Sequence, residues 1–230
     1  MEKKQNLSMS HIKSKINEIK AALPKECRLI AVSKFHPVES IREAYDAGQR
    51  IFGESRVQEF VVKQAELPKD IEWHFIGHLQ TNKVKQVVAI ADTIHSIDSS
   101  KLLAEVERYA LKADRKIKCL LQVHIAQEDT KFGFDFQECR ELLESDLVRS
   151  LKSVEIVGLM GMATYTDNRE LIKSEFNSLS SFYNELRQTI MIDKPSFCEL
   201  SMGMSDDYKL AVEEGSTYVR IGSTIFGVRQ

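Results

Sequence analysis

Residues 118–125 read KCLLQVHI, and this run decides the fold class. A strand wetted on one face alternates apolar and polar side chains, whereas one covered on both faces is nearly continuous in apolar ones. KCLLQVHI is of the second kind, which predicts a strand of a parallel sheet with helices on either side. A helical pattern over 135–144 follows it, and a longer one over 100–113 precedes it. Working outward, the alternation repeats. Toward the N-terminus, strands are predicted over 28–33, 50–53, 73–76 and 93–97, with helices over 38–48, 57–67 and 82–90 between them. Toward the C-terminus, strands are predicted over 154–160, 197–200 and 218–221, separated by helices over about 170–190 and over 206–213.

Eight such steps in 230 residues predict an α/β protein built as a single (β/α)8 barrel of the TIM type, with a short helical tail after the last strand. An open doubly wound sheet is the competing arrangement, but its GxGxxG fingerprint is absent. An extra N-terminal helix is expected within residues 1–26. There Ile12, Ile16, Ile19 and Leu23 recur at helical spacing and Pro24 stops the pattern. No proline-rich linker or composition break divides the chain, so one domain over 1–230 is expected.

Composition narrows the function classes. A net charge of -2 and a pI near 6.3 give no general attraction to nucleic acid or to an anionic membrane. The N-terminus begins polar and no apolar run reaches the length of a membrane span. Cys27, Cys119, Cys139 and Cys198 are scattered without a CxxC pair, which suits reduced thiols in a cytoplasmic protein. Neither a disulfide framework nor a metal site is expected. His74 and His78 are four apart, but in a strand and a loop they lack the helical ligand geometry.

In a parallel barrel the loops after the strands form the functional face. Lys34 ends the apolar run IAVSK, so its amine is expected to emerge from a dry wall into the mouth. Partial burial disfavours an ammonium, and the neutral amine is what attacks an aldehyde. The plain alternative is a solvated lysine just past a strand. Two further strand ends alter the balance. SMGMS at 201–205 and RIGSTIFG at 220–227 follow the seventh and eighth strands, where barrels often bind phosphate. Gly203 and Gly222 allow close approach of backbone N–H groups, and Ser201, Ser223 and Thr224 add hydroxyls. Together these predict a phosphorylated ligand with a carbonyl. Met160 and Ser55, at the ends of the sixth and second strands, complete the candidate set. Met160, Met162, Met202 and Met204 read as adaptable packing rather than redox chemistry. Residues 128–134 are either a loop over the mouth or plain surface.

These residues closely resemble those of the pyridoxal phosphate homeostasis proteins (the YggS/PROSC family), which are themselves similar to the barrel domain of alanine racemase. The resemblance lies in AVSKxHP at 31–37, FGES at 52–55, WHFIGHLQTNK at 73–83, GLMGMAT at 158–164, LSMGMSDD at 200–207 and VRIGSTIFG at 219–227. It implies that Lys34 carries pyridoxal 5'-phosphate as an aldimine. It also implies that Ser201, Gly222, Ser223 and Thr224 surround the phosphate and that Arg220 faces the pyridine nitrogen. One departure is Ser55, where the family usually has asparagine, which puts a contact near the ring in doubt.

The resemblance further implies vitamin B6 homeostasis without substantial catalysis, with no catalytic residues assigned. An arginine beside the ring nitrogen disfavours its protonation and weakens the electron sink that carbanion chemistry uses. The chain ends soon after the eighth strand, so the second domain that supplies alanine racemase with its tyrosine base is expected to be absent, and a monomer is expected. Apo-enzymes that use the cofactor are the candidate recipients. Two alternatives stay open on the sequence: an amino-acid racemase or lyase with Lys34 as its base, and a phosphosugar-binding barrel without an aldimine.

Overall fold

The computed structural model of the chain describes residues 2–128 and 132–227, with side chains from His11 onward. Eight parallel strands close into a barrel in sequence order, β1 pairing with both β2 and β8. They are β1 (Arg28–Val32), β2 (Ile51–Glu54), β3 (Glu72–Phe75), β4 (Thr93–Ile97), β5 (Ile117–Gln122), β6 (Val154–Met160), β7 (Glu199–Ser201) and β8 (Tyr218–Ile221). The helices around them are α1 (Glu2–Ala22), α2 (Val38–Asp46), α3 (Val57–Glu66), α4 (Val84–Val88), α5 (Ser100–Lys112), α6 (Phe136–Glu144), α7 (Asp146–Ser150), α8 (Arg169–Gln188), α9 (Tyr208–Glu213) and α10 (Ser223–Phe226).

The barrel predicted from the apolar runs is therefore present, and α1 buries Ile12, Ile16 and Ile19 against α2, β1 and α10. Local boundaries differ in three places. β5 stops at Gln122; beyond it Val123 still donates to the Met160 carbonyl but bridges Phe134 rather than continuing the strand ladder. The helix predicted over 82–90 is a 3-10 turn, Thr81–Lys83, followed by the short α4. α7 has no counterpart in the prediction; it begins because Ser145, which ends α6, turns its hydroxyl to the N–H of Val148. Residues 129–131 of the loop considered as a cover lie outside the described residues.

The main apolar core lies between strands and helices, where Phe52, Phe60, Trp73, Phe75 and Phe176 are all buried. Burial of each such large apolar side chain stabilises the fold by roughly 1.5–3 kcal/mol. The lumen is different. Barrels of this type usually fill it with branched aliphatic residues. Here Leu120, Val157 and Met160 form only a small apolar patch, and much of the remainder is polar.

Candidate functional site

Lys34 lies one residue beyond the end of β1, after Ser33, and is half-buried in a tight turn. The next residue, Phe35, holds a φ of 66°, a left-handed conformation that costs a non-glycine residue roughly 1–2 kcal/mol. A buried charged cluster underlies the turn and holds it in place. Lys63 Nζ donates to the Ser33 carbonyl at 2.8 Å, to Glu54 Oε1 at 2.7 Å and to Glu59 Oε2 at 2.9 Å. The Ser33 hydroxyl donates to Glu54 at 2.7 Å, and the Phe35 N–H to Glu59 at 2.8 Å. The peptide before Lys34 is thus held by Lys63 and the one after it by Glu59, while Glu54 holds the Ser33 hydroxyl, and the three side chains are bonded into one cluster. Burial pushes the Glu54 carboxyl up, while Lys63 opposes the shift.

Arg220, on β8, is buried beneath the same end of the barrel. Nη1 donates to the carbonyl and hydroxyl oxygens of Ser201 at 2.9 and 2.6 Å, and Nη2 to the carbonyl of Gly161 at 3.0 Å. Those three bonds leave two of the five guanidinium N–H donors for a ligand. Among the described residues Arg220 has no ion-pair partner within 4.0 Å. Burial lowers it to about 10, with Asp207 pulling the other way, so it stays cationic at neutral pH. A buried cation with spare donors and no carboxylate fits a planar acceptor presented from the mouth.

The two glycine loops sit at this end as expected. Gly203 has a φ of 86°, and its Cα faces α9 so closely that a Cβ would lie 2.6 Å from Ala211 Cβ. A Cβ on Gly222 would lie 3.1 Å from the Val32 carbonyl oxygen, two residues before Lys34. Ser223 is exposed and Thr224 partly so, at the start of α10, whose first N–H groups have no intrahelical partner. Met160 is buried at the end of β6, and Ser55 is half-buried with its backbone pressed against Gly77. The structure thus brings the eight candidate residues to one end of the barrel: Lys34, Ser55, Met160, Ser201, Arg220, Gly222, Ser223 and Thr224.

The Ser201 hydroxyl, expected at the phosphate, is bonded to Arg220 and into the lumen. It is fully buried, and besides Arg220 its partner is His95 Nδ1 at 3.0 Å. β4 and β7 are not neighbours, so this bond crosses the lumen. His95 Nε2 in turn meets His74 Nδ1 at 2.8 Å, and His74 Nε2 meets Glu72 Oε1 at 3.0 Å. His95 is missed by sequence reading, and His74 is considered there only as a metal ligand. Among the described residues no His, Cys, Asp and Glu group suits a metal. A concavity of about 810 Å³ lies at the opposite end and is lined by residues including Arg28, Lys69, Glu72, Lys116 and Lys118. It is ringed by solvated side chains of both signs and contains no strand-end lysine or glycine loop.

The chain is similar to known proteins over most of its length. Residues 7–230 match the family described as alanine racemase, N-terminal domain. The pyridoxal phosphate homeostasis protein of Aquifex aeolicus is 41% identical over 204 residues, covering 88% of this chain and 87% of its own. That of Mus musculus is 39% identical over 213 residues, covering 88% of this chain and 77% of its own. Among solved structures, PipY of Synechococcus elongatus with PLP bound is similar with a TM-score of 0.83 and 41% identity, covering 94% of this chain and 100% of that one. An alanine racemase of Clostridium difficile shares the fold, with a TM-score of 0.70 at 13% identity over 95% of this chain and 56% of its own.

Proposed function

We propose, from the premise that this chain belongs to the alanine racemase N-terminal domain family and within it to the pyridoxal phosphate homeostasis proteins, that it binds pyridoxal 5'-phosphate and serves in managing that cofactor. The observation that carries the reading is the buried guanidinium of Arg220, with no ion-pair partner among the described residues, at the barrel end where Lys34 emerges. When bound, the cofactor supplies an aldehyde that condenses reversibly with a primary amine. Lys34 is the amine, held in position by the grip of Lys63, Glu54 and Glu59 on its neighbours. Backbone N–H groups at Gly222, Ser223 and Thr224, with the two hydroxyls, hold the phosphate. Arg220 donates toward the ring nitrogen, and Met160 and Ser55 line the ring.

The same arrangement favours binding over turnover. A guanidinium that is already positive opposes a second positive charge on the ring nitrogen, and so withholds the electron sink that racemisation requires. On this reading the chain is a single cofactor-binding domain over 1–230 and acts as a cytoplasmic monomer that yields its cofactor to apo-enzymes. All four cysteines are free, which fits a reducing compartment. No helix among the described residues is long and apolar enough to cross a membrane.

The test is the visible absorption of the protein and of Lys34→Ala, each incubated with pyridoxal phosphate and freed of excess. A yellow band in the parent that the variant lacks supports the covalent site. A colourless parent overturns the reading and returns the phosphosugar alternative. Exchange of the α-hydrogen of alanine at enzyme-like rates would overturn the non-catalytic part alone.

A further inference from the structure

Inside the barrel a single file of hydrogen bonds runs from the floor to the mouth. Glu72 lies at the N-terminal end of β3, partly open to solvent, and lines the floor concavity. From there the bonds pass to His74, His95, Ser201 and Arg220 at 3.0, 2.8, 3.0 and 2.6 Å. Tyr218 closes the lumen around both imidazoles, with ring centroids 5.3 Å from His74 and 5.8 Å from His95.

One arrangement of protons satisfies every link with both imidazoles neutral. Arg220 can only donate, so the Ser201 oxygen accepts from it and the Ser201 O–H is free to donate onward. That proton goes to His95 Nδ1, which must therefore be bare, leaving the His95 proton on Nε2. His95 then donates to a bare Nδ1 on His74, and His74 Nε2–H donates to the Glu72 carboxylate. The hydrogen bond from His74 is the main influence holding the Glu72 carboxyl below the ordinary range, as this order requires. A charged His74 would send the Nδ1 proton into His95, turn the His95 proton onto Ser201, and leave the serine O–H without an acceptor in this file.

We infer that His95 is a positioning residue for the cofactor, acting through the Ser201 hydroxyl to fix the Arg220 guanidinium, and that Glu72 and His74 set the His95 tautomer that makes this possible. This rests on the cofactor reading above. Among the described residues no carboxylate lies within 4.0 Å of Arg220, so its orientation depends on two carbonyls and on one hydroxyl whose direction His95 decides. The file also makes the floor, some distance from the mouth, part of the cofactor site.

Two substitutions separate the links. In His95→Asn the amide stands near the Nδ1 position and keeps its reach to Ser201. In His95→Gln it stands near Nε2, keeping His74 and losing Ser201. Both disturb a buried polar file, so both ligand-free variants are expected to melt below the parent. Cofactor affinity, read by titration of the visible band, is expected to fall about tenfold or more in His95→Gln, the size usual when a supporting hydrogen bond around a ligating group is removed. His95→Asn is expected to stay within about threefold of the parent, below the roughly tenfold loss that marks a removed supporting bond. Equal affinities and identical spectra in His95→Gln and the parent, with only the melting changed, would overturn the inference. Nitrogen-15 NMR of the ligand-free parent tests the proton order without the cofactor: both imidazoles should be neutral and carry their protons on Nε2, and a His95 proton on Nδ1 would overturn it. A parent that binds no cofactor defeats the functional reading instead, and the NMR result then stands by itself.

Discussion

Lys63 and Glu54 form an ion pair of 2.7 Å in a buried space beneath the turn that carries Lys34, with side-chain exposures of only 6% and 0%. Charges so far from water persist only when their bonds are nearly complete. Lys63 meets this condition, donating to Glu54, Glu59 and the Ser33 carbonyl. Glu54 has one oxygen, Oε2, without a hydrogen bond, so it depends heavily on the lysine. Lys63→Met should therefore strand a buried carboxylate and cost about 3–5 kcal/mol, the usual penalty for removing one partner of such a pair. Urea denaturation checks the figure. Adding Glu54→Gln to Lys63→Met should recover part of the loss, because the uncompensated charge is gone. Both variants should attach pyridoxal phosphate at Lys34 more slowly than the parent, since neither restores the bond to Ser33.

A second prediction concerns acid. His95 faces His74 from β3, Ser201 from β7, and Arg220 and Tyr218 from β8. Burial holds its imidazole well below the ordinary value of 6.5; a second proton on the adjoining His74 in acid and the Arg220 guanidinium both oppose its charging further. Below pH 6.5 the unfolded chain takes a proton at this residue that the folded chain refuses. Stability therefore rises with pH through that window and is lost as pH falls, by about 1.4 kcal/mol per pH unit from this residue alone. His95→Asn should be less stable at neutral pH yet show a flatter slope below pH 6.5. Parallel slopes in the two proteins would mean that His95 does not refuse the proton.

How far the sequence discloses the site follows from how each part is built. Lys34, Gly203 and Gly222 are legible because strand ends and glycine loops are local features, and a barrel places all its strand ends on one face. β5 is legible because strand and helix layers must both be apolar where they meet. The lumen is not legible by the same logic. In β4, Thr93, His95 and Ile97 alternate with Ile94 and Ser96, a pattern that does not show which set faces the lumen. His74 has its partner 21 residues downstream, and the contact exists only once β3 and β4 pair with His74 opposite Thr93. Ser201 is identified for its hydroxyl, but whether that hydroxyl faces the mouth or the lumen depends on closure of the barrel.

Gly203 and Gly48 offer a final test, because they share a backbone conformation and differ in surroundings. Their φ values are 86° and 88°, so alanine at either should cost roughly 1 kcal/mol from backbone strain alone. At Gly48 a Cβ would meet nothing within 4 Å, and Gly48→Ala should lose little more than that strain. At Gly203 it would lie 2.6 Å from Ala211 Cβ and 2.8 Å from Tyr208 Cα, both on α9. Backbone cannot yield as a flexible side-chain end does, so the 201–205 loop or α9 must move. Gly203→Ala should therefore lose roughly 1–3 kcal/mol beyond the strain, as overpacking usually does. Because the Gly203 carbonyl accepts the Arg220 N–H at 3.0 Å, that movement reaches the guanidinium strand as well. Cofactor affinity should then fall in Gly203→Ala and hold in Gly48→Ala. Urea denaturation with cofactor titration of the two variants separates the effects; equal losses at both positions would show that α9 does not press on the loop.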